Sequence, residues 1–279
     1  MIILIITGDG FCDKVRICHL LMVFMKIVSW NVNSLKVRLE HVLQWSKDNQ
    51  PDVLAIQETK LTNENFPQQA IEEAGFYVVY SGQPTYNGVA IISSSPASDI
   101  VTDIEGLDDP QRRVLAATID DVRIINLYVV NGSEPESEKY QYKMHWLEKV
   151  IDFIDIQMQM HENVVVLGDF NIATDDRDVW DANYWRGKIL CTDKERQKLN
   201  SLLDLGFDDS FRLLHDEAGH YSWWDYRMAG FQRNLGLRID LILTNEPMSE
   251  MLTSAYIDKE PRTWERPSDH TPVVAEFDY

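Results

Sequence analysis

The sequence predicts an α/β protein: a four-layer αββα sandwich in which two packed, mixed β-sheets are flanked by helices. Three observations lead there. Strand-like and helix-like stretches interleave from residue 26 to the end, with no repeat period, low-complexity tract or Gly/Ser linker. Val53-Leu54-Ala55-Ile56 and Val164-Val165-Val166-Leu167 are short continuous apolar runs, the pattern of strands buried on both faces. Short polar clusters, rather than plain turns, close successive apolar runs.

The elements follow in order. Residues 26–31 form a first strand, and Leu35, Leu39, Val42, Leu43 and Trp45 then recur at helical spacing up to the break at Asn49-Gln50-Pro51. The buried strand 52–56 comes next, then a polar helix over 63–74 ended by Gly75. Strands are predicted at 76–81, 88–93, 113–119 and 122–129. Residues 138–160 make a long amphipathic helix with Tyr142, Trp146, Leu147, Val150, Ile151 and Ile154 on one side. A strand at 163–167 leads into an irregular, aromatic stretch over 170–190. A helix at 194–204 ends at Gly206, and strands recur near 221–224, 237–243, 251–257 and 272–277.

Bulk properties narrow the function classes. A chain of 279 residues with 44% hydrophobic and 25% charged content can bury one large core without a second domain. A net charge of -19 argues against a surface that binds nucleic acid or anionic membrane indiscriminately. Cys12, Cys18 and Cys191 are scattered, with no CxxC, which excludes a disulfide framework or zinc knuckle and points to a reducing, intracellular compartment. Met1–Ile6 is apolar but too short to span a bilayer, lacks a basic leader and is broken by Thr7-Gly8-Asp9-Gly10. Residues 1–24 are therefore expected to be an extension outside the fold, with the catalytic domain over 25–279 and Met25 as the functional start.

The polar clusters carry the chemistry. They are Trp30-Asn31-Val32-Asn33, Gln57-Glu58-Thr59, Gly168-Asp169-Phe170-Asn171, Arg238-Ile239-Asp240 and Ser268-Asp269-His270. Each puts a carboxylate, carboxamide or imidazole where a buried strand emerges, so all five can share one rim. Glu58 taken alone reads as a solvated loop residue. Asp240, between Leu237-Arg238-Ile239 and Leu241-Ile242-Leu243, is costly to bury without a metal or a hydrogen-bonding partner. His270 is its natural partner, because an Asp-His pair fixes imidazole orientation and tautomer. Hard oxygen donors, one Asp-His pair and no paired cysteines are what a Mg²⁺-dependent phosphodiesterase requires.

From Met25 to Tyr279 the chain resembles the exonuclease III / apurinic-apyrimidinic endonuclease family, within the endonuclease/exonuclease/phosphatase superfamily related to deoxyribonuclease I. The resemblance rests on Ser29–Asn33, Pro51-Asp52-Val53, Gln57-Glu58-Thr59-Lys60, Asn87-Gly88-Val89-Ala90, Gln111-Arg112-Arg113, Asn126-Leu127-Tyr128 and Gly168–Asn171. It continues through Ser222-Trp223-Trp224-Asp225-Tyr226-Arg227, Gly236–Asp240 and Pro267-Ser268-Asp269-His270. The QE, GDxN and SDH motifs alone leave lipid and inositol phosphate phosphodiesterases open. The Trp-Trp-Asp-Tyr-Arg and Gly-Leu-Arg-Ile-Asp stretches point to the DNA-repair branch.

The resemblance implies roles. Glu58 would ligate Mg²⁺ (with Mn²⁺ as a substitute), Asn31 would sit beside it, and Asp269 would support a second or transient metal position. His270, held by Asp240, would activate a water or stabilise the pentacovalent phosphorus. Asp169 is the rival for orienting the nucleophile or protonating the leaving group, and for the latter it needs a raised pKa. Asn171, Tyr128 and Asn131 would donate to the non-bridging oxygens, and Arg113 would contact a flanking phosphate. Trp223, Leu237 and Ile239 would line an apolar slot for a flipped-out abasic sugar. Arg227 would clamp the duplex from the following loop. Trp180 departs from the family pattern, in which a small residue is expected. A bulky ring there would obstruct the abasic sugar and favour 3′-end trimming over internal incision.

These implications describe a monomeric enzyme of the bacterial cytoplasm, associated with the nucleoid when on DNA and acting on duplexes with abasic sites, nicks or 3′ blocking groups. Its expected activities are 3′-to-5′ exonuclease, 3′-phosphatase and incision 5′ to abasic sites. Two rivals stand beside this reading. A phosphodiesterase for a small phosphorylated ligand or lipid headgroup would not need the region of Trp223 and Arg227. A catalytically silent nucleic-acid-binding protein would not need Glu58, Asp169, Asn171, Asp240, Asp269 and His270 together.

Overall fold

A computed structural model describes residues 24–279, so the predicted extension over 1–24 lies, but for its last residue, outside the described residues. The chain runs β1 (Phe24–Asn31), α1 (Leu35–Asn49), β2 (Val53–Gln57), α2 (Gln68–Glu73), β3 (Tyr77–Ser81), β4 (Val89–Ser93), β5 (Ser98–Val101), β6 (Val114–Ile119), β7 (Val122–Tyr128) and α3 (Glu138–Met160). It continues with β8 (Asn163–Asp169), α4 (Ala182–Trp185), α5 (Asp193–Leu203), β9 (Phe207–Asp209), α6 (Ser210–Leu214), β10 (Trp223–Trp224), β11 (Gly236–Leu237), β12 (Asp240–Asn245), α7 (Glu246–Glu250), β13 (Leu252–Ile257) and β14 (Val273–Asp278).

Two six-stranded sheets stack face to face, with orders β13-β14-β1-β2-β4-β3 and β5-β6-β7-β8-β12-β9. Three apolar layers explain why the strands read as unbroken hydrophobic runs. Along β2, Val53 and Ala55 point between the sheets, while Leu54 and Ile56 point outward beneath Leu35, Val42 and Trp45 of α1. Along β8, Val165 and Leu167 face the inter-sheet layer, while Val164 and Val166 pack beneath Trp146 and Val150 of α3. Alternation survives in direction but not in polarity, because both faces are dry.

Each sheet contains one parallel pair joined through a helix, β1-α1-β2 and β7-α3-β8. The carboxyl ends of these four strands share a rim, the usual place for a site in α/β sheets. β12 runs antiparallel to β8 with Asp240 directly opposite Asp169, and β14 runs antiparallel to β1, which puts His270, just ahead of β14, at the same rim. Beneath the rim, Gln57 donates to Asn126 Oδ1 at 2.8 Å, and Asn126 donates back to the carbonyls of Ile56 and Ala90. This polar knot ties the two sheets together just below the site.

Several predicted elements differ in detail. The helix expected over 63–74 is a short 3₁₀ turn at Asn63–Asn65 followed by α2, because Pro67 lacks the amide a continuous helix needs. The strand expected over 237–243 is two pieces, β11 and β12, because Arg238 and Ile239 leave the ladder and turn inward. The short elements β5, β9, α6 and α7 carry too few residues to show a period. The stretch 170–190 is irregular, with only a 3₁₀ turn and the four-residue α4.

Arg238 explains the interruption. Its guanidinium is 1% exposed and binds Asp178 Oδ1 at 2.7 Å and Asp209 Oδ2 at 2.7 Å, while Arg212 adds a second contact to Asp178. Burial pushes the Asp178 carboxyl upward, but Arg238 and its hydrogen bonds outweigh this and hold it below the ordinary value. The ionised Asp178 therefore stabilises the fold above the unfolded-state value, and that contribution is lost as pH falls through the lowered native value. Asp178→Asn is expected to cost ~3–5 kcal/mol at pH 7, the range for breaking a buried pair. In chemical denaturation the gap from the parent should shrink below about pH 4, where the unfolded-state carboxyl protonates. A gap independent of pH would show that the ion pair is not what Asp178 contributes.

Candidate active site

Asn31, the last residue of β1, is fully buried, and its Nδ2 donates to Glu58 Oε1 at 2.9 Å and to Asp169 Oδ2 at 2.8 Å. One carboxamide thus bridges carboxylates from opposite sheets. The left-handed backbone at Asn33 (φ 43°), Glu58 (φ 55°) and Asn171 (φ 49°) aims these side chains off the strand ends. Gly168 (φ 142°) precedes Asp169 where a Cβ would collide with the Leu127 backbone, so only glycine lets β8 reach the rim this close to β7. Asn33 Nδ2 donates to Asp269 Oδ1 at 2.8 Å, and Trp223 Nε1 donates to Asp269 Oδ2 at 3.0 Å.

His270 lies between two aspartates. Its Nδ1 is 2.9 Å from Asp240 Oδ2, and its Nε2 is 3.8 Å from Asp169 Oδ2. Burial alone would lower the imidazole pKa, but Asp240 and Asp169 dominate and raise it to about 10. The imidazole is therefore a cation at neutral pH. The Asp169 carboxyl moves up to about 7, driven first by burial and then by Asp240 and Glu58, against His270 and the Asn31 hydrogen bond. Burial also tends to raise the Asp269 carboxyl, yet His270 and the donors Asn33 and Trp223 keep it below its usual value. The Tyr128 phenol stays protonated, because burial, Glu58 and Asp169 all oppose its ionisation.

On the far side of Asp169, its Oδ1 accepts the Asn171 amide at 2.9 Å, and Asn131 Nδ2 donates to Asn171 Oδ1 at 2.9 Å. The structure therefore brings together Asn31, Glu58, Tyr128, Asn131, Asp169, Asn171, Trp223, Asp240, Asp269 and His270.

The remaining predicted residues sort differently. Arg113 faces inward rather than toward a flanking phosphate: it is 6% exposed, donates to the Tyr128 carbonyl at 3.1 Å and stacks over the Tyr128 ring. Leu237 and Ile239 do not line an open slot; they are 0% and 1% exposed and form an apolar floor on which Trp223 and Trp180 both pack. Trp180 is half-buried, 5.1 Å from the Tyr184 ring, with its amide bound to the Gly236 carbonyl. Arg227 is solvent-exposed on a turn anchored beside the SDH segment through Tyr226 Oη and the Pro267 carbonyl. Cys191 is a buried free thiol, while Cys12 and Cys18 lie outside the described residues.

Sequence reasoning missed the supports. Ser222 Oγ accepts the Ile239 and Asp240 amides, and Ser268 Oγ donates to the Asn31 carbonyl at 2.7 Å. Both serines sit inside the motifs quoted, but a serine's contact partner has no sequence signature. Lys60 was quoted without a role; its ammonium lies 2.9 Å from Glu58 Oε2 and 2.5 Å from Asn33 Oδ1.

The donor set fits a hard divalent cation. Among the described residues, the carboxylates of Glu58, Asp169, Asp240 and Asp269 gather with His270 and Lys60 as the cations in direct contact, leaving excess negative charge in a largely buried rim. Glu58, Asp169 and His270 can bring ligand atoms within 4.8 Å of one another. A protonated imidazole does not ligate, so the donors such an ion would use here are the carboxylate oxygens, Glu58 among them.

The endonuclease/exonuclease/phosphatase family pattern matches residues 28–270. The chain belongs to that family. Within it the chain is 34% identical to exodeoxyribonuclease III of Haemophilus influenzae over 270 residues, covering 91% of this chain and all of the relative. A 3′ phosphatase from Neisseria (NExo), solved with product DNA hairpin, is 50% identical with a TM-score of 0.90, covering 91% of this chain and 100% of that one. An AP endonuclease from Archaeoglobus fulgidus is 37% identical with a TM-score of 0.88 and the same coverage. This places the chain in the exonuclease III / AP endonuclease branch, and it is a hydrolytic nuclease.

Asp240→Asn tests the electrostatics of the pair. With the principal counter-charge gone, burial should bring the His270 pKa from about 10 to below neutrality, read from imidazole ¹⁵N shifts. Turnover should fall at least ~100-fold, the range for a lost positioned acid or base. An imidazole still protonated at pH 8 would show that Asp240 does not set its charge.

Proposed function

We propose that this nuclease repairs damaged duplex DNA with Mg²⁺, releasing 5′-mononucleotides from 3′ ends and removing 3′ phosphates and other 3′ blocks. Incision 5′ to abasic sites is the activity that Trp180 limits. The observation carrying this reading is the rim itself: Asn31 tying Glu58 to Asp169, opposite a His270 locked by Asp240. Mn²⁺ substitutes, and the setting is a reducing cytoplasm; among the described residues no helix is long and apolar enough to cross a membrane.

Glu58 and Asn31 would hold the ion, with Asp269 on the Trp223 side as a second anchor. When bound, the cation offsets charge on the scissile phosphate and on the leaving 3′ oxygen. The chain's own groups divide the remaining work. Held as a cation, His270 has no free lone pair to take a proton from water. It donates instead to a phosphoryl oxygen and stabilises the charge that grows there. Asp169, with a pKa near 7, takes the proton of the attacking water as the new P–O bond forms and the bond to the 3′ oxygen breaks. Asn131, Asn171 and Tyr128 donate to the non-bridging oxygens, and Arg113 orients Tyr128.

Duplex specificity rests on the turn at Tyr226–Met228, where Met228 and an Arg227 paired with Asp225 at 3.6 Å are exposed to solvent and Tyr226 anchors the turn to the Pro267 carbonyl. Trp223 offers a flat face at the mouth. Trp180 narrows it from the opposite side of the same apolar floor, so a terminal phosphate enters more readily than an internal sugar with strand on both sides.

Two outcomes are expected on duplexes carrying a nick, a 3′-phosphate or an abasic analogue. EDTA should abolish all turnover, and Asp169→Asn should lose at least ~100-fold; a near-parental rate would remove Asp169 from the proton path. Trp180→Gly should raise incision at an internal abasic site relative to 3′-phosphate removal. An unchanged ratio would dispose of the Trp180 assignment while leaving the chemistry in place.

A further inference from the structure

Lys143, on the second turn of α3, is the most enclosed cation near the site, with a side chain of 0% exposure. Its ammonium donates to Glu195 Oε1 at 2.5 Å, to the Asn171 carbonyl at 2.8 Å and, more weakly, to the Asn131 carbonyl at 3.4 Å. Two of its three acceptors therefore belong to the two asparagines whose carboxamides bond each other beside Asp169. The third, Glu195, is already committed: its carboxylate accepts the amides of Leu190 and Thr192 and closes the capping box at the start of α5.

Burying an ammonium costs several kcal/mol, and a neutral, well-packed pair would hold α3 against α5 as well or better. What a neutral pair would not supply is a cation drawing two separate loops onto one point. Asn131 follows β7 and Asn171 follows β8; both loops turn through left-handed backbone, at Gly132 (φ 91°) and Asn171 (φ 49°). The Val129 and Phe170 amides still bond the Asp169 and Ile239 carbonyls, and Asn171 Nδ2 donates to the Val129 carbonyl at 3.1 Å, but no regular ladder continues beyond them to Asn131 and Asn171. Burial works to lower the Lys143 pKa, and Glu195 first, then Asp169 of the rim, oppose it and favour the charged ammonium.

We propose that Lys143 is a positioning residue for phosphate binding: it clamps the Asn131 and Asn171 loops from behind and fixes their carboxamides for the scissile phosphate. The proposal rests on the assignment of Asn171 to the phosphate. Lys143 touches no substrate and acts through that pair. Misplacement by about 1 Å is enough to cost on the order of 100-fold in such a site.

Lys143→Met alone strands the Glu195 carboxylate and risks unfolding, so the informative variant is Lys143→Met with Glu195→Gln, which removes both charges and keeps the capping acceptor. Thermal melts establish its fold. On a 3′-phosphate duplex with saturating Mg²⁺, kcat should fall roughly 10- to 100-fold with KM changed less than about threefold. The same pair of changes in an Asn171→Ala background should cost less than about threefold, because the clamp then has nothing to position. Equal losses in both backgrounds, a double variant within about threefold of parental kcat, or one that does not fold and so shows the pair to be merely structural would each overturn the clamp. Asn171→Ala at full rate would instead overturn the phosphate assignment beneath it.

Discussion

Repulsion between carboxylates of opposite sheets is the constraint around which this rim is organised. Glu58 directly follows a strand of one sheet and Asp169 ends a strand of the other, and the sandwich forces them together in a largely buried place. Asn31 answers with a single amide nitrogen whose two hydrogens serve one carboxylate each. Remove that bridge and the charges would either separate the strand ends or protonate. The Gln57–Asn126 knot directly below makes separation costly, because it is buried and tied to the backbone of two neighbouring strands.

Unequal environments then divide the labour among chemically similar groups. Asp240 has an imidazole in direct contact, Asp269 accepts from Asn33 and Trp223, and Asp169 also accepts two hydrogen bonds but is fully buried with two further carboxylates nearby. Three aspartates of one intrinsic acidity thus become an anchor, a ready anion and a group that can exchange a proton near neutrality. The same field favours the charged form of His270, and the proposed mechanism accordingly assigns it to stabilising charge on the phosphoryl group.

A chain with a net charge of -19 lacks the bulk positive charge of an indiscriminate nucleic-acid binder. The acidic groups of the rim face inward and are paired, while the exposed turn beside it carries Arg227. On the proposed function, affinity for DNA would rest on the ion and on Trp223 and Trp180 more than on a broad basic surface.

The layered fold and the membership of the site were legible from residues alone, for one reason. Strands buried on both faces tolerate so few polar groups that Asn31, Glu58, Asp169, Asp240 and His270 stand out wherever they occur. Element limits were legible where periods were long, as in α3 (Glu138–Met160), and lost where segments were short or interrupted, as at α2 and between β11 and β12. Sequence could not tell that Arg113 stacks inward or that Leu237 and Ile239 are floor rather than wall, since apolar and cationic side chains serve both ends and only depth separates them. Nor could it reveal Lys143 beneath the asparagines, because a lysine in an amphipathic helix reads as solvated until the packing of a second helix closes over it. Composition and pattern determine which groups must leave water; which of them meet, and with what charge, is decided by three-dimensional distance, because electrostatic coupling in a dry interior depends on ångströms that no spacing along the chain records.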